Sequence, residues 1–520
     1  FCLSRGLGDV YKRQGPVYAL AWSNSHSSTD SNGYVPLCSQ NSEPSRQLPP
    51  NARLAVGSFQ EEYNTRLQVL GMPHNLDGSS NMEVLADVLH PYPATKIGFQ
   101  PTNDLQRTEA EEKSQDVDWS GQADLSETSH NISSTFSTVS NPDDTSDLIQ
   151  VDPYPDNELL ASSADCLHVW EMERNEDVSD LYDAMSLRPS LSSKKRTSGH
   201  RFVLREKCAL AHAKSSLSPP APLTSFSWNA PSPNLIVTSS IDTTCTIWDL
   251  PSRTALTQLI AHDREVYDVD WCPGSADVFA SVGADGSVRV FDLRNLEHST
   301  IIYETNMQPP SSSDRQNNAY TSSSGMNVPL LRIAFNPWDA NYLATFQLES
   351  NTVQILDVRA PGSPILELSG HSGPVNSVAW GPPSQSTLRN GPSKGMICTG
   401  GDDAQCLVYD LTSSTLRTAS AQGRRSRNSP YKQSHSPGID GWRVGAEVPV
   451  LAYTAPSMVN NASWLGMPAP SKRTSLQSKH RSLYRSLLSE WTEYTSSTST
   501  SSGTDWLALC AGQAVKILRV

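Results

Sequence analysis

The sequence predicts an all-β protein, a seven-bladed β-propeller interrupted by long disordered inserts. Three observations lead there. A unit of alternating strands recurs seven times, one aromatic residue closes the first strand of each unit, and polar segments poor in large aliphatics separate the strands.

The clearest unit is VYDVDWCPGSADVFASVGADGSVRVFDLR, residues 266–294. An alternating run ends at Trp271, a small-residue strand runs from Phe279 to Gly283, and an Asp-Gly turn leads to a strand ending at Phe291-Asp292. Alternation joined by such turns means antiparallel hairpins. The pattern returns at 223–250, 330–359 and 375–411, and more loosely at 17–70, 94–172 and 459–520. Trp22, Phe99, Trp228, Trp271, Phe335, Trp380 and Trp464 close the seven first strands. One such sheet cannot bury both its faces, whereas seven packed around a channel can; a solenoid of sheets is the alternative. At about 42 residues per blade, the blades fall near 15–72, 90–210, 221–262, 263–305, 329–371, 372–455 and 456–520, as one domain over 15–520. Outer strands are expected at 201–210, 255–262, 300–305, 364–371 and 449–455.

The remaining residues are inserts near 102–156, 173–200, 306–328, 412–447 and 466–503, rich in Ser, Thr, Pro and Asn. Such segments bury too little apolar surface to offset their ordering entropy. A short helix over 476–491 is weakly suggested. Residues 1–14, FCLSRGLGDVYKRQ, begin with Phe and read as a non-native leader. The chain ends on a third strand, VKILRV, so the fourth strand of the last blade should come from residues before Gly15.

Composition narrows the function. Net charge is −14, and residues 101–160 carry −12 of it, so the propeller body is near neutral and lacks the basic face that direct nucleic-acid binding needs. No run of 18 apolar residues suits a membrane span. Nine scattered cysteines, several inside apolar runs, read as buried free thiols of a reducing compartment, the cytoplasm and nucleus. No phosphate loop, HExxH or paired metal ligands appear, and no cofactor or metal is expected.

His262, Ser281 and Asp285 could suggest a hydrolytic triad. Their types recur in blade six as His371, Thr399 and Asp403, and in blade three as Thr238 and Asp242 with Trp248. A triad occurs once, so recurrence points instead to a structural bracket. The carboxylate accepts from one imidazole nitrogen while the other meets the hydroxyl. No nucleophile elbow accompanies Ser281.

The strings APLTSFSWN, TSSIDTTCTIWDL, TQLIAHDREVYDVDW, FASVGADGSVRVFDLRNLEHSTIIYE, NYLAT, ILDVR, PVLAYTA and VKILRV cover nearly every expected core strand. They closely resemble one WD-repeat (WD40) family, that of plant transparent-testa-glabra and anthocyanin-regulating proteins and animal damage-binding-and-cullin-associated factor seven. The resemblance implies a non-enzymatic, monomeric scaffold that holds protein kinases or transcription regulators inside larger complexes. It also implies, as the alternative, a substrate receptor of a cullin-4 RING ubiquitin ligase. Adaptor-docking WD proteins resemble one another in an Asp-x-Arg box closing the third strand. Here Asp292 with Arg294, and Asp357 with Arg359, match it in adjacent blades. The alternative is that both arginines only pair with acids at the rim. Basic runs at 194–196, 423–427 and 471–488 read as solvated linkers or as import or phosphorylation signals.

Overall fold

The computed structural model describes residues 9–12, 17–23, 52–59, 65–71, 82–101, 158–175, 200–211, 220–305, 327–382, 393–412, 448–465 and 506–520. Their regular elements are all strands, grouped as seven four-stranded antiparallel sheets. From the channel outward, blade one is Val17–Trp22, Arg53–Ser58, Arg66–Gly71 and Glu83–Leu89. Blade two is Lys96–Phe99, Glu158–Ser163, Leu167–Arg174 and Phe202–Leu210. Blade three is Leu223–Trp228, Leu235–Ser240, Thr244–Asp249 and Thr254–Ile260. Blade four is Val266–Trp271, Val278–Gly283, Ser287–Asp292 and Asn295–Glu304. Blade five is Leu330–Phe335, Tyr342–Gln347, Val353–Asp357 and Leu366–Leu368. Blade six is Val375–Trp380, Ser393–Gly401, Gln405–Thr412 and Leu451–Thr454. Blade seven is Val459–Trp464, Trp506–Ala511 and Ala514–Arg519, with Asp9–Lys12 as its outer strand.

All seven aromatic residues end first strands, as their spacing predicts. Four tryptophans also peg their blade to the preceding one. The Nε1 of Trp271 donates to Ser227 O (3.0 Å), that of Trp380 to Ala334 O (2.9 Å) and that of Trp464 to Ala379 O (3.2 Å). Trp22 donates to Ser463 O at 3.0 Å, linking blade one to blade seven across the seam of the ring. In each case the acceptor immediately precedes the neighbouring blade's own terminal aromatic.

The apolar core is divided the same way. Seven buried clusters each lie between two consecutive blades, including one that joins Val17, Leu20 and Trp22 of blade one to Trp506, Ala508 and Val515 of blade seven. Every sheet face is therefore covered by a neighbour, as radial packing requires. The seven described cysteines are free thiols, and burial pushes that of Cys272 up to about 12.

One strand lies where the sequence did not place it. Blade one extends beyond residue 72 to an outer strand, Glu83–Leu89, in which Leu85 and Ala86 are buried side by side. Adjacent buried residues break the period-two alternation by which a strand is recognised. Asp9–Lys12 lies before Gly15, where the fourth strand of the last blade is expected, and its backbone pairs with the last strand, Asp9 opposite Lys516 and Lys12 opposite Ala514. The Leu167–Arg174 and Gln405–Thr412 strands run slightly into expected inserts. The bulk of those inserts, the helix suggested at 476–491 and the three basic runs lie outside the described residues.

Because strands alternate in direction, each propeller end carries one class of connection. First strands begin, and second-to-third turns lie, at what we term the entry face. First strands and third strands finish at the exit face. The connections 24–51, 102–157, 413–447 and 466–505 all start and end at the exit face.

Candidate functional site

The recurring bracket sits at the entry face. In blade four His262 Nδ1 lies 2.9 Å from Asp285 Oδ1, and its Nε2 lies 2.7 Å from Ser281 Oγ. Asp285 also accepts from the Ser287 backbone and hydroxyl, at 3.0 and 2.8 Å. Burial alone would raise this carboxyl, but the His262 and Ser287 hydrogen bonds outweigh it and hold Asp285 far below the usual carboxylate range. Blade six repeats the geometry: His371 Nδ1 is 3.0 Å from Asp403 Oδ1, and its Nε2 is 2.8 Å from Thr399 Oγ1. In blade three Trp248 Nε1 donates to Thr238 Oγ1 at 3.0 Å, while Asp242 accepts from the Thr244 hydroxyl at 2.6 Å.

Ser281 and Thr399 are buried, with exposures of at most 1%. Each hydroxyl is taken up by the imidazole that enters its own blade. What the bracket does in blades four and six is tie the turn entering the blade to the turn between its second and third strands.

Blade two carries a bracket that sequence reasoning missed. His90 Nε2 lies 2.8 Å from Ser162 Oγ, which also accepts from Trp170 Nε1 at 2.9 Å. His90 precedes its first strand as His262 does, and that was the available signal. The long connection 102–157 separates it from Ser162.

These brackets surround the channel mouth. Six first strands have a register irregularity at their second residue: Tyr18, Thr224, Tyr267, Leu331, Asn376 and Asn460. A bulge re-aims the side chain it displaces. Here the six, with Thr95 of blade two, line one cavity of about 370 Å³ together with Arg332, Asp402 and Met458. The exposed turns of this face mix apolar and acidic groups. Tyr92, Ile241, Leu348 and Met458 are exposed, and so are Asp263, Glu349 and Asp402. Among the described turns of this face, Arg264 is the one Lys or Arg side chain.

Below the mouth the channel wall is ionic. Asp268 Oδ1 accepts from Ser225 Oγ of blade three (2.5 Å) and lies 3.3 Å from Lys96 Nζ of blade two. Its Oδ2 accepts from Ile333 N of blade five at 3.0 Å. Arg332 Nη2 donates to Tyr18 OH at 2.8 Å. Burial opposes the charge on Asp268, but Lys96 and Arg332 prevail and its pKa is lowered. Asp270 accepts from Ser227 Oγ and Phe335 N, both at 2.9 Å, and burial pushes it up to about 6.

The two Asp-x-Arg boxes lie on the exit face, at the opposite end of the molecule. Arg294 forks Asp292 at 2.9 and 2.8 Å and remains 56% exposed. Arg359 forks Asp357 at 2.8 and 2.6 Å and is 37% exposed; it also donates to Tyr342 OH at 3.1 Å and lies over that ring. Both arginines thus pair with their own aspartate and still present part of the guanidinium to solvent.

The WD domain, G-beta repeat family matches residues 253–292 and 362–410, the stretches leading into the two blades with a complete His–Asp bracket. The DDB1- and CUL4-associated factor 7 homolog of Dictyostelium discoideum is 37% identical over 361 residues, 69% of this chain and 78% of that protein. An uncharacterized WD repeat-containing protein of Schizosaccharomyces pombe, C17D11.08, is 34% identical over 360 residues, covering 69% of this chain and 64% of its own length. WD repeat-containing protein YPL247C of Saccharomyces cerevisiae is 52% identical over 204 residues, 38% of this chain and 36% of its own. Seven blades in a closed ring, pegged by tryptophans at four of their junctions, and a relative aligned along most of its length agree: the chain is a WD-repeat propeller scaffold, and it belongs to the family of DDB1- and CUL4-associated factor 7.

Proposed function

We propose that the protein is a non-enzymatic scaffold that receives a basic, apolar-containing segment of a partner protein at the entry-face mouth. The observation that carries this is the ring of displaced first-strand residues around the 370 Å³ cavity, with exposed Asp402 in its lining and exposed Asp263 and Glu349 in turns of the same face. A rigid rim of turns on a closed scaffold is where propellers place recognition. Opposite charge steers such a partner in and disfavours acidic competitors. Following the family resemblance, the partners are protein kinases and transcription regulators of the cytoplasm and nucleus. The test is affinity capture from a native extract with Tyr267→Ala and Asp402→Lys. Loss of the captured kinase or regulator with the fold intact supports this reading; unchanged capture by both variants rejects it.

A second reading has its own observation. The relative from Dictyostelium discoideum carries DDB1 and CUL4 association in its name, and this chain has two Asp-x-Arg boxes in adjacent blades of the exit face. On this reading Arg294 and Arg359 dock a cullin-4 ligase adaptor, and the chain is a substrate receptor. The two surfaces lie at opposite ends, so one molecule can serve both roles. Arg294→Ala with Arg359→Ala should abolish adaptor capture and leave entry-face capture unchanged.

A further inference from the structure

Blade two departs from its neighbours at the turn between its second and third strands. Ser162 pairs across to His168, six residues on, whereas Thr238, Ser281 and Thr399 pair with Thr246, Arg289 and Leu407, eight residues on. The shorter turn alters what its acid reaches. Asp285 and Asp403 bond the histidine that enters their blade. Asp165 instead reaches His168 on its own hairpin, with Oδ1 3.1 Å from Nε2. His168 is thus a second imidazole, distinct from the bracket histidine His90, at a position where blades three, four and six carry Thr, Arg and Leu.

The geometry points to a binding site for a divalent cation of the zinc class, with Asp165 Oδ1, Cys166 Sγ and His168 Nε2 as its protein ligands. All three donor atoms lie within 4.8 Å of one another, and Cys166 Sγ is 3.4 Å from His168 Nε2. Bonds of about 2.0 Å to N and O and about 2.3 Å to S at tetrahedral angles put N and O about 3.3 Å apart, and N and S about 3.5 Å apart. The N–O and N–S separations here, 3.1 and 3.4 Å, lie close to these values. Thiolate with imidazole selects zinc or cobalt over calcium or magnesium, which take all-oxygen sets.

The surroundings fit as well. His168 Nδ1 lies 2.7 Å from Glu206 Oε1 on the outer strand, the outer carboxylate that fixes a ligating histidine's tautomer and aims its other nitrogen at the metal. The ring stacks on Trp170 at 5.9 Å and meets His90 edge-on at 5.0 Å, so its orientation is held. Cys166 and His168 are buried, while Asp165 is 40% exposed. That leaves the fourth position open to water on the aspartate side. Loading displaces the thiol proton, and any proton on Nε2, to solvent. The bound ion would tie the shortened turn to the outer strand through Glu206.

The test is cobalt titration of the chelator-treated full chain. The expected result is one equivalent of Co²⁺ with tetrahedral d–d bands and a thiolate charge-transfer band, displaced by Zn²⁺. Cys166→Ser should abolish the charge-transfer band, and Glu206→Gln should keep it with about 10–100-fold weaker affinity. Should Cys166→Ser fail to fold, Asp165→Asn, at the exposed ligand, decides by weakened binding. No cobalt spectrum from the wild type, or one unchanged in these ligand variants, overturns the site.

Discussion

Asp268 and Asp270 stand two residues apart on the first strand of blade four, and each carboxylate bridges both neighbouring blades. First strands do not share a ladder with one another, so beyond single backbone bonds where they begin, such as Leu223 N to Ala164 O, side chains carry inter-blade hydrogen bonds near the channel. Asp268→Ala would leave the Ile333 N–H and the Lys96 ammonium without this acceptor. The expected cost is roughly 2–4 kcal/mol, since an abandoned buried donor costs more than the bond itself contributed. Chemical denaturation measures it; a loss below about 1 kcal/mol would show that the bridges are incidental.

Asp270 makes a pH prediction. Its folded value is about 6, against about 3.9 for an unfolded aspartate. The folded state therefore holds this proton more tightly. Its stabilising contribution is full below about pH 3.9 and is lost as pH rises through about 6. Asp270→Asn should remove that slope, leaving a pH-independent offset from the altered hydrogen bonds. Unfolding free energies of both proteins between pH 4 and 7.5 give the difference, and parallel curves would contradict the assignment. Asp268 and Asp285, whose values are lowered, act in the opposite sense.

His262→Ala and Ser281→Ala should each destabilise the fold by roughly 1–3 kcal/mol, with a strongly non-additive double mutant because both act through one imidazole. Thermal denaturation reads this. Detection of ester or amide turnover that Ser281→Ala abolishes would revive the triad.

Gly286 has φ +74°, and a Cβ there would meet Thr305 Oγ1 and, at 2.7 Å, Val328 O. Gly286→Ala should cost more than the ~1–2 kcal/mol of left-handed strain alone, because backbone must also move. Unchanged melting would show that the turn adjusts freely.

Arg294→Ala should shift stability by no more than ~1 kcal/mol, as expected of an exposed pair. Arg359→Ala should cost more, because it also gives up Tyr342. Melting temperatures in low and high salt separate the two, the Arg294 effect fading with screening.

The sequence made the seven blades legible because strand alternation and a closing aromatic are local signals that survive insertion. The Glu83–Leu89 strand escaped because Leu85 and Ala86 are buried side by side. The bracket triples of blades four and six could be read because each falls within about thirty residues. His90 with Ser162 could not, across the connection 102–157. The channel mouth was invisible for a different reason. Whether Tyr18 or Tyr267 faces the cavity depends on a one-residue register irregularity that composition and period do not encode. The Asp268 and Asp270 bridges were equally hidden, since their partners Ser225 and Ile333 lie in other blades.

The pairing of Asp9–Lys12 with Ala514–Arg519 sets an order of events during synthesis. Blades one to six can each assemble as their own hairpins emerge from the ribosome, forming an open arc whose end blades expose apolar faces. The seventh sheet needs two pieces of chain some five hundred residues apart, so it is complete only once Ala514–Arg519 has followed the other blades off the ribosome. Contacts of such long range are slow to form. The interval before that sheet is complete is when nascent chains are most exposed to aggregation and to chaperone capture, and slippage of the Asp9–Lys12 strand would bare the outer edge of blade seven while the Trp22–Ser463 peg still joins blades one and seven.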